Sequence, residues 1–95
     1  MHNRPQRKKD PQLVEETREK PCVVCSSLAE GHHVKSRGAS GPDEPWNLIP
    51  LCREHHSEIH ASGNNQMILK YWKVKRWFID NNWHFDPTGN KWKHK

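Results

Sequence analysis

Residues that fill a protein core are scarce in this sequence. Only 32% of its 95 residues are hydrophobic and the mean hydropathy is −1.16, so one domain at most can form, and apolar packing alone is a weak basis for it. Long apolar runs are missing too. The best candidate, Met67-Ile68-Leu69, stops at Lys70, far short of the roughly 18–20 residues a helix needs to cross a bilayer; the expectation is a soluble chain with no membrane partner. The N-terminal stretch MHNRPQRKKDPQ lacks the apolar segment of a secretory signal, which favours a reducing, intracellular (cytoplasmic) setting. Cysteine is sparse, and three of them cannot pair completely, which excludes a full disulfide framework and makes a bound metal the first alternative support. Acidic residues are the minority charge, 11 against 16 Lys and Arg for a net charge of +5. That balance suits a polyanion such as nucleic acid, although many ordinary domains are as basic.

Along the chain, residues 1–12 combine Arg4, Arg7, Lys8 and Lys9 with two prolines and no large apolar side chain, the pattern of a basic disordered arm whose plainest use is solubility. Leu13 to Lys20 reads as a short polar helical turn, ended by Pro21. Two β-like pieces lie around His33-Val34 and Leu48-Ile49. The Gly-, Ser- and Pro-rich loop from Ser36 to Trp46 between them is expected to contain no helix. CREHHSEIHA has no breaker until Ser62-Gly63, giving a helix over about 52–61. Met67, Ile68, Tyr71, Trp72, Val74, Phe78 and Ile79 recur at three- and four-residue steps and predict a second helix over about 65–81. Trp83, Phe85 and Trp92 flank Asp86-Pro87-Thr88-Gly89-Asn90, which is turn chemistry for a small β-hairpin.

Cys22-Val-Val-Cys25 is followed, after 26 intervening residues, by Cys52-Arg-Glu-His55. Each pair supplies two ligands from one turn, and a fold-back of the chain would close a tetrahedral zinc site that uses all three cysteines. A redox CxxC is the competing reading, but the surrounding thioredoxin-like βαβ pattern is missing. A classical finger using His56 and His60 fails on spacing, because 30 residues separate Cys25 from His56 where about 12 are typical.

Assigning His55 to zinc leaves His32, His33, His56 and His60. On a helix, His56 and His60 stand one turn apart on one face and can close on one ion, whereas any one of these histidines alone reads more simply as a surface or core-satisfied residue. Together, His33, Asn47 and His56 within the CxxC…CxxH frame resemble the HNH nucleases, over about residues 21–62. The resemblance implies a small α+β protein with a ββα-metal (His-Me finger) core and structural zinc knuckle at 13–62, and a C-terminal helix and hairpin at 63–95 packed on it. It assigns His32, His56 and His60 to a catalytic divalent metal, His33 to the general base, and Asn47 to bracing the loop and orienting that base. Many members carry Asp where His32 stands, so the ligand set shifts from oxygen to nitrogen and the metal stays open among Mg²⁺, Mn²⁺, Ni²⁺ and Zn²⁺.

The expected activity is DNA phosphodiester hydrolysis leaving 5′-phosphate and 3′-hydroxyl ends, with RNA as a second possible polyanion and a monomer or weak dimer as the active species. Lys35, Arg37 and Arg53 flank the site and are candidate phosphate holders, or equally solvated surface charges. Asp43 and Glu44 read as loop or capping groups. For Trp72, Trp77, Trp83 and Trp92, core packing is favoured over stacking on an unpaired strand, and Lys91, Lys93 and Lys95 can add nonspecific attraction. Two difficulties accompany this reading: adjacent strand residues point to opposite faces, so His32 and His33 need a strand end or bulge to serve one reaction, and a noncatalytic zinc-binding nucleic-acid module would keep the same zinc frame and basic surface.

Overall fold

The computed structural model describes residues 7–94. Asp10 caps the first helix by accepting from the Leu13 N–H, and Pro11 at the first helical position needs no donor there. Helix α1 therefore spans Pro11–Arg18, two residues ahead of the expected turn. Residues 7–12 also depart from the expected disordered arm. Arg7 pairs with Asp43 at 2.7 Å, Lys8 pairs with Glu44, and the backbone N–H groups of Asp10 and Asp43 bond to Asp43 and Lys8 respectively. Buried charge on Asp43 recruits the arm's cations, which composition alone does not reveal; residues 1–6 lie outside the described residues.

After α1, the chain turns tightly at Cys22–Ser27, with Ser26 N–H bonded to Cys22 C=O and Ser26 left-handed at φ 65°. Strand β1 (Glu30–His33) then pairs antiparallel with β2 (Leu48–Leu51), His32 opposite Ile49 and His33 opposite Leu48. The connecting loop holds two short 3-10 turns, Arg37–Ala39 and Pro45–Asn47, so the expectation of no helix there holds only for α-helix. Gly41 lies so close to the Lys35 carbonyl that a Cβ would collide with it. Asn47, fully buried, closes the loop base: its amide oxygen accepts from Lys35 N–H at 2.7 Å, and its NH₂ donates to the carbonyls of Lys35 and Pro42, both at 3.0 Å.

Helix α2 (Arg53–Ser62) follows directly and packs on both strands, stopping at Gly63 with φ 87°. The second predicted helix is two, α3 (Asn64–Lys70) and α4 (Trp72–Asp80), because Tyr71 is extended at φ −121°, ψ 110°. Its hydroxyl donates to Glu58 on α2 at 2.8 Å and its ring meets His55 edge-on, contacts that an uninterrupted helix would have to satisfy with a different backbone. Strands β3 (Trp83–Asp86) and β4 (Lys91–His94) form the C-terminal hairpin, tied to the loop by Trp83 Nε1–H donating to the Trp46 carbonyl at 2.7 Å. Among the described residues the protein is thus a small α+β fold of four α-helices and two two-stranded antiparallel sheets. Its core gathers Ile49, Leu51, Ile59, Met67, Ile68, Val74, Phe78 and Trp83 around Cys22 and Cys52. No helix among these residues is long and apolar enough to cross a membrane.

Candidate metal and catalytic site

The turn at Cys22–Ser27 and the start of α2 bring Cys22, Cys25, Cys52 and His55 together, with all four donor atoms within 4.8 Å of one another. Cys25 Sγ lies 3.7 Å from Cys52 Sγ, and His55 Nδ1 lies 3.1 Å from Cys52 Sγ and 3.6 Å from Cys22 Sγ. A tetrahedral zinc with bonds of about 2.3 Å to sulfur has sulfur–sulfur edges of about 3.8 Å, so donor types and spacing both fit, and the cluster could hold zinc. Two thiols of the cluster are shifted in opposite directions. Hydrogen bonding with Ser27 brings the Cys25 thiol down to about 6; on Cys52 a backbone bond from His55 favours the thiolate, but burial and the neighbouring thiols outweigh it and raise its pKa.

A second group forms on the other side of α2's first turn. Alternation along β1 turns Glu30 and His32 towards α2, where His32, His56 and His60 bring their donor atoms within 4.8 Å of one another. The Nε2 atoms of His56 and His60 stand 3.1 Å apart. Tetrahedral bonds of about 2.0–2.1 Å to nitrogen set edges of about 3.3–3.4 Å, so this trio also fits a metal. Glu30 accepts from or pairs with His56 Nδ1 at 2.8 Å, fixing the ring so that Nε2 faces the cluster. Burial, reinforced by the fields of His56, His60 and His33, pushes the His32 pKa down to about 3, leaving it neutral with a lone pair to give at physiological pH.

His33, the last residue of β1, reaches away from that cluster. Its Nε2 lies 2.7 Å from Asp43 Oδ1, with 9% of its side chain exposed, and Nδ1 has no hydrogen-bond partner among the described residues. β1 stays in regular register through His33, its last residue, with no bulge, so ordinary strand alternation sends the two adjacent imidazoles in different directions. Asp43 is buried, which opposes its charge, yet bonds from His33, the Asp10 N–H and Arg7 win and hold its carboxyl below the usual carboxylate range. Asn47 braces the loop, as the resemblance implied, but does not orient His33, since its amide reaches only Lys35 and Pro42; Asp43, read as a loop or capping group in the sequence, is what holds the His33 ring. Glu30 had a readable signal, lying two residues before His32 on the same strand face. Asp43 had none, being ten residues past His33 in an aperiodic loop.

The candidate phosphate holders scatter around these groups. Arg53, 88% exposed in its side chain, approaches Glu30 at 3.4 Å beside His56. Arg37 lines a cleft with Arg7 and Asp43. Lys35 is exposed where β1 gives way to the loop.

No family model matches the chain, and no solved structure matches it. A protein of Chlamydomonas moewusii, described as an uncharacterized 38.5 kDa protein in psbA intron 1, is similar: 49% identical over 37 residues, 39% of this chain and 11% of that protein. The matched segment spans about a tenth of that relative's length, and its description names no activity.

Proposed function

We infer that the chain is a metal-dependent endonuclease of the HNH type, built on a ββα-metal core formed by β1, β2 and α2 and hydrolysing DNA phosphodiester bonds. The observation that carries this reading is the arrangement at one strand end: three imidazoles converge on one point while the adjacent His33 stays outside that cluster, held by a buried carboxylate. In this reading Cys22, Cys25, Cys52 and His55 hold a structural zinc, and His32, His56 and His60 hold the catalytic metal. Three neutral nitrogens favour a borderline ion such as Zn²⁺ or Ni²⁺ over the oxygen-preferring Mg²⁺ and Mn²⁺.

His33 takes the proton from the attacking water. Asp43 on Nε2 fixes the tautomer in which Nε2 carries the hydrogen, so Nδ1 offers its lone pair; which nitrogen bears the proton follows from this partner. Asp43 also stabilises the imidazolium that results. A metal at the trio would act as a Lewis acid on the phosphoryl group and the departing 3′-oxygen. Lys35, Arg37 and Arg53 hold flanking phosphates, and the products carry 5′-phosphate and 3′-hydroxyl ends.

Plasmid nicking tests the reading, with each divalent metal added in turn to the native chain and to His33→Ala. The native chain is expected to cut and the variant to lose about 10²–10⁴-fold in rate. Equal cutting by both would remove His33 from the mechanism, and no cutting with any metal would leave a noncatalytic zinc-binding nucleic-acid module.

A further inference from the structure

Two open grooves flank Trp92 on the C-terminal hairpin, away from both donor clusters. The first, about 630 Å³, is lined by Lys35, Trp46, Lys91, Trp92 and Lys93 among others. The second, about 660 Å³, shares Trp92 with the first and is also lined by Phe85, Trp72, Lys70 and Lys75. Five lysines line the pair and no carboxylate does, in a chain with 11 acidic residues. Lys70 and Lys93 are partly neutralised by Glu58 and Asp86; Lys35, Lys75 and Lys91 have no acidic partner among the described residues. Trp72 is 71% exposed and Phe85 42%, large aromatic faces set among these cations.

The geometry points to a single track for an unpaired DNA strand, running from Lys35, two residues past His33, across Trp92 to Trp72. Cations spaced along a groove follow a phosphate backbone, and exposed aromatic faces take unpaired bases by stacking, which a duplex keeps inside its own stack. A second copy of this chain suits the surface less well, because two lysine-lined faces would repel. The hairpin is held to the nuclease loop by the Trp83–Trp46 hydrogen bond and by His94 stacked on Trp46 with ring centroids 3.7 Å apart. The track therefore moves with the site. The choice of DNA rests on the nuclease reading; the track itself does not.

Anisotropy of labelled oligo(dT), a duplex of equal length and oligo(U) tests the inference, using the full chain carrying His33→Ala so that cleavage does not intrude. Oligo(dT) is expected to bind tightest. Replacing Lys35, Lys75 and Lys91 together by Gln lowers the slope of log affinity against log salt by about 2, at roughly 0.7 per phosphate contact on a single strand. Trp72→Ala weakens binding by about tenfold and leaves that slope unchanged. Preference for the duplex or for oligo(U), unchanged binding by these variants, or self-association that Trp72→Ala abolishes would each overturn it. A chain that binds oligo(dT) but never cuts DNA loses the nuclease reading and keeps the track. One that cuts while the variants bind as the parent does keeps the nuclease and loses the track.

Discussion

Asp43 is where the arm, the loop and the candidate base meet. One carboxylate receives His33 Nε2 and Arg7 on Oδ1 and the Asp10 N–H on Oδ2, so the group that orients the ring is itself fixed by three partners. Asp43→Asn keeps the shape but lets the side-chain amide present either a donor or an acceptor, and the tautomer of His33 is no longer dictated. The expected result is a fall in kcat of about 10–100-fold, no more than the lower limit of the 10²–10⁴ assigned to the base itself because the base is misoriented rather than removed, with KM and bound metal unchanged; a change confined to KM would make Asp43 a substrate contact instead. Asp43 also makes stability depend on pH. Its folded pKa lies below the unfolded value of about 3.9, so its contribution is complete above that value and is lost as pH falls through the folded one. Asp43's own part of the stability gap between native chain and Asp43→Asn should therefore shrink as pH falls below about 4. Denaturant titrations of both chains across that range measure it, and a gap that widens on acidification would reverse the sign. The candidate donors Cys22, Cys25, Cys52, His55, His56 and His60 were legible because x2 and x3 spacings are local geometry, whereas His32 was reached only through the family resemblance. Asp43 was not legible, since a contact across ten aperiodic residues leaves no pattern in the chain.

Among the elements, the hairpins and α2 were legible for similar reasons: breakers bound them, and their residues alternate or repeat at short range. The break at Tyr71 was hidden because Met67, Tyr71, Val74 and Phe78 follow helical steps with no Gly or Pro between them, and only the tertiary bond to Glu58 reveals the cost of continuing. Tyr71→Phe removes that bond while keeping the edge contact with His55, and is expected to destabilise by about 0.5–1.5 kcal/mol in a denaturant titration. The 3-10 turns of the loop did leave local signals, the Ser36 hydroxyl accepting from Ala39 N–H and Pro45 at the first position of the second turn, but three-residue turns in a Gly-, Ser- and Pro-rich stretch show no periodicity. Gly41 is the loop's steric limit: Gly41→Ala drives a methyl into the Lys35 carbonyl, which must move and disturb the Asn47 clamp. A loss of about 1–3 kcal/mol is expected, together with loss of nicking, because Lys35 and Asp43 shift with the loop. Full activity in a stably folded Gly41→Ala chain would separate the clamp from catalysis.

For the whole molecule, the two donor clusters differ in what would fail with them if each holds a metal. The core that packs around Cys22 and Cys52 is small, and a structural zinc contributes roughly 10–16 kcal/mol in finger peptides, against about 5–15 kcal/mol for the total stability of an ordinary domain. Helix α2 carries both groups, with His55 facing the cysteines and His56 and His60 facing His32. Loss of the first metal should therefore release α2 and scatter the second group, whereas loss of the second leaves α2 anchored. Stripping with a strong chelator is expected to abolish the cooperative thermal transition and shift emission from the buried Trp83 to the red. His55→Ala should behave as the stripped chain does. His60→Ala should keep its thermal transition and bind one zinc per chain in excess zinc, where the native chain binds two. A stripped chain that melts as sharply as the native one would show that apolar packing suffices, and equal unfolding by His55→Ala and His60→Ala would mean that the two groups are one structural unit rather than a scaffold and a working site.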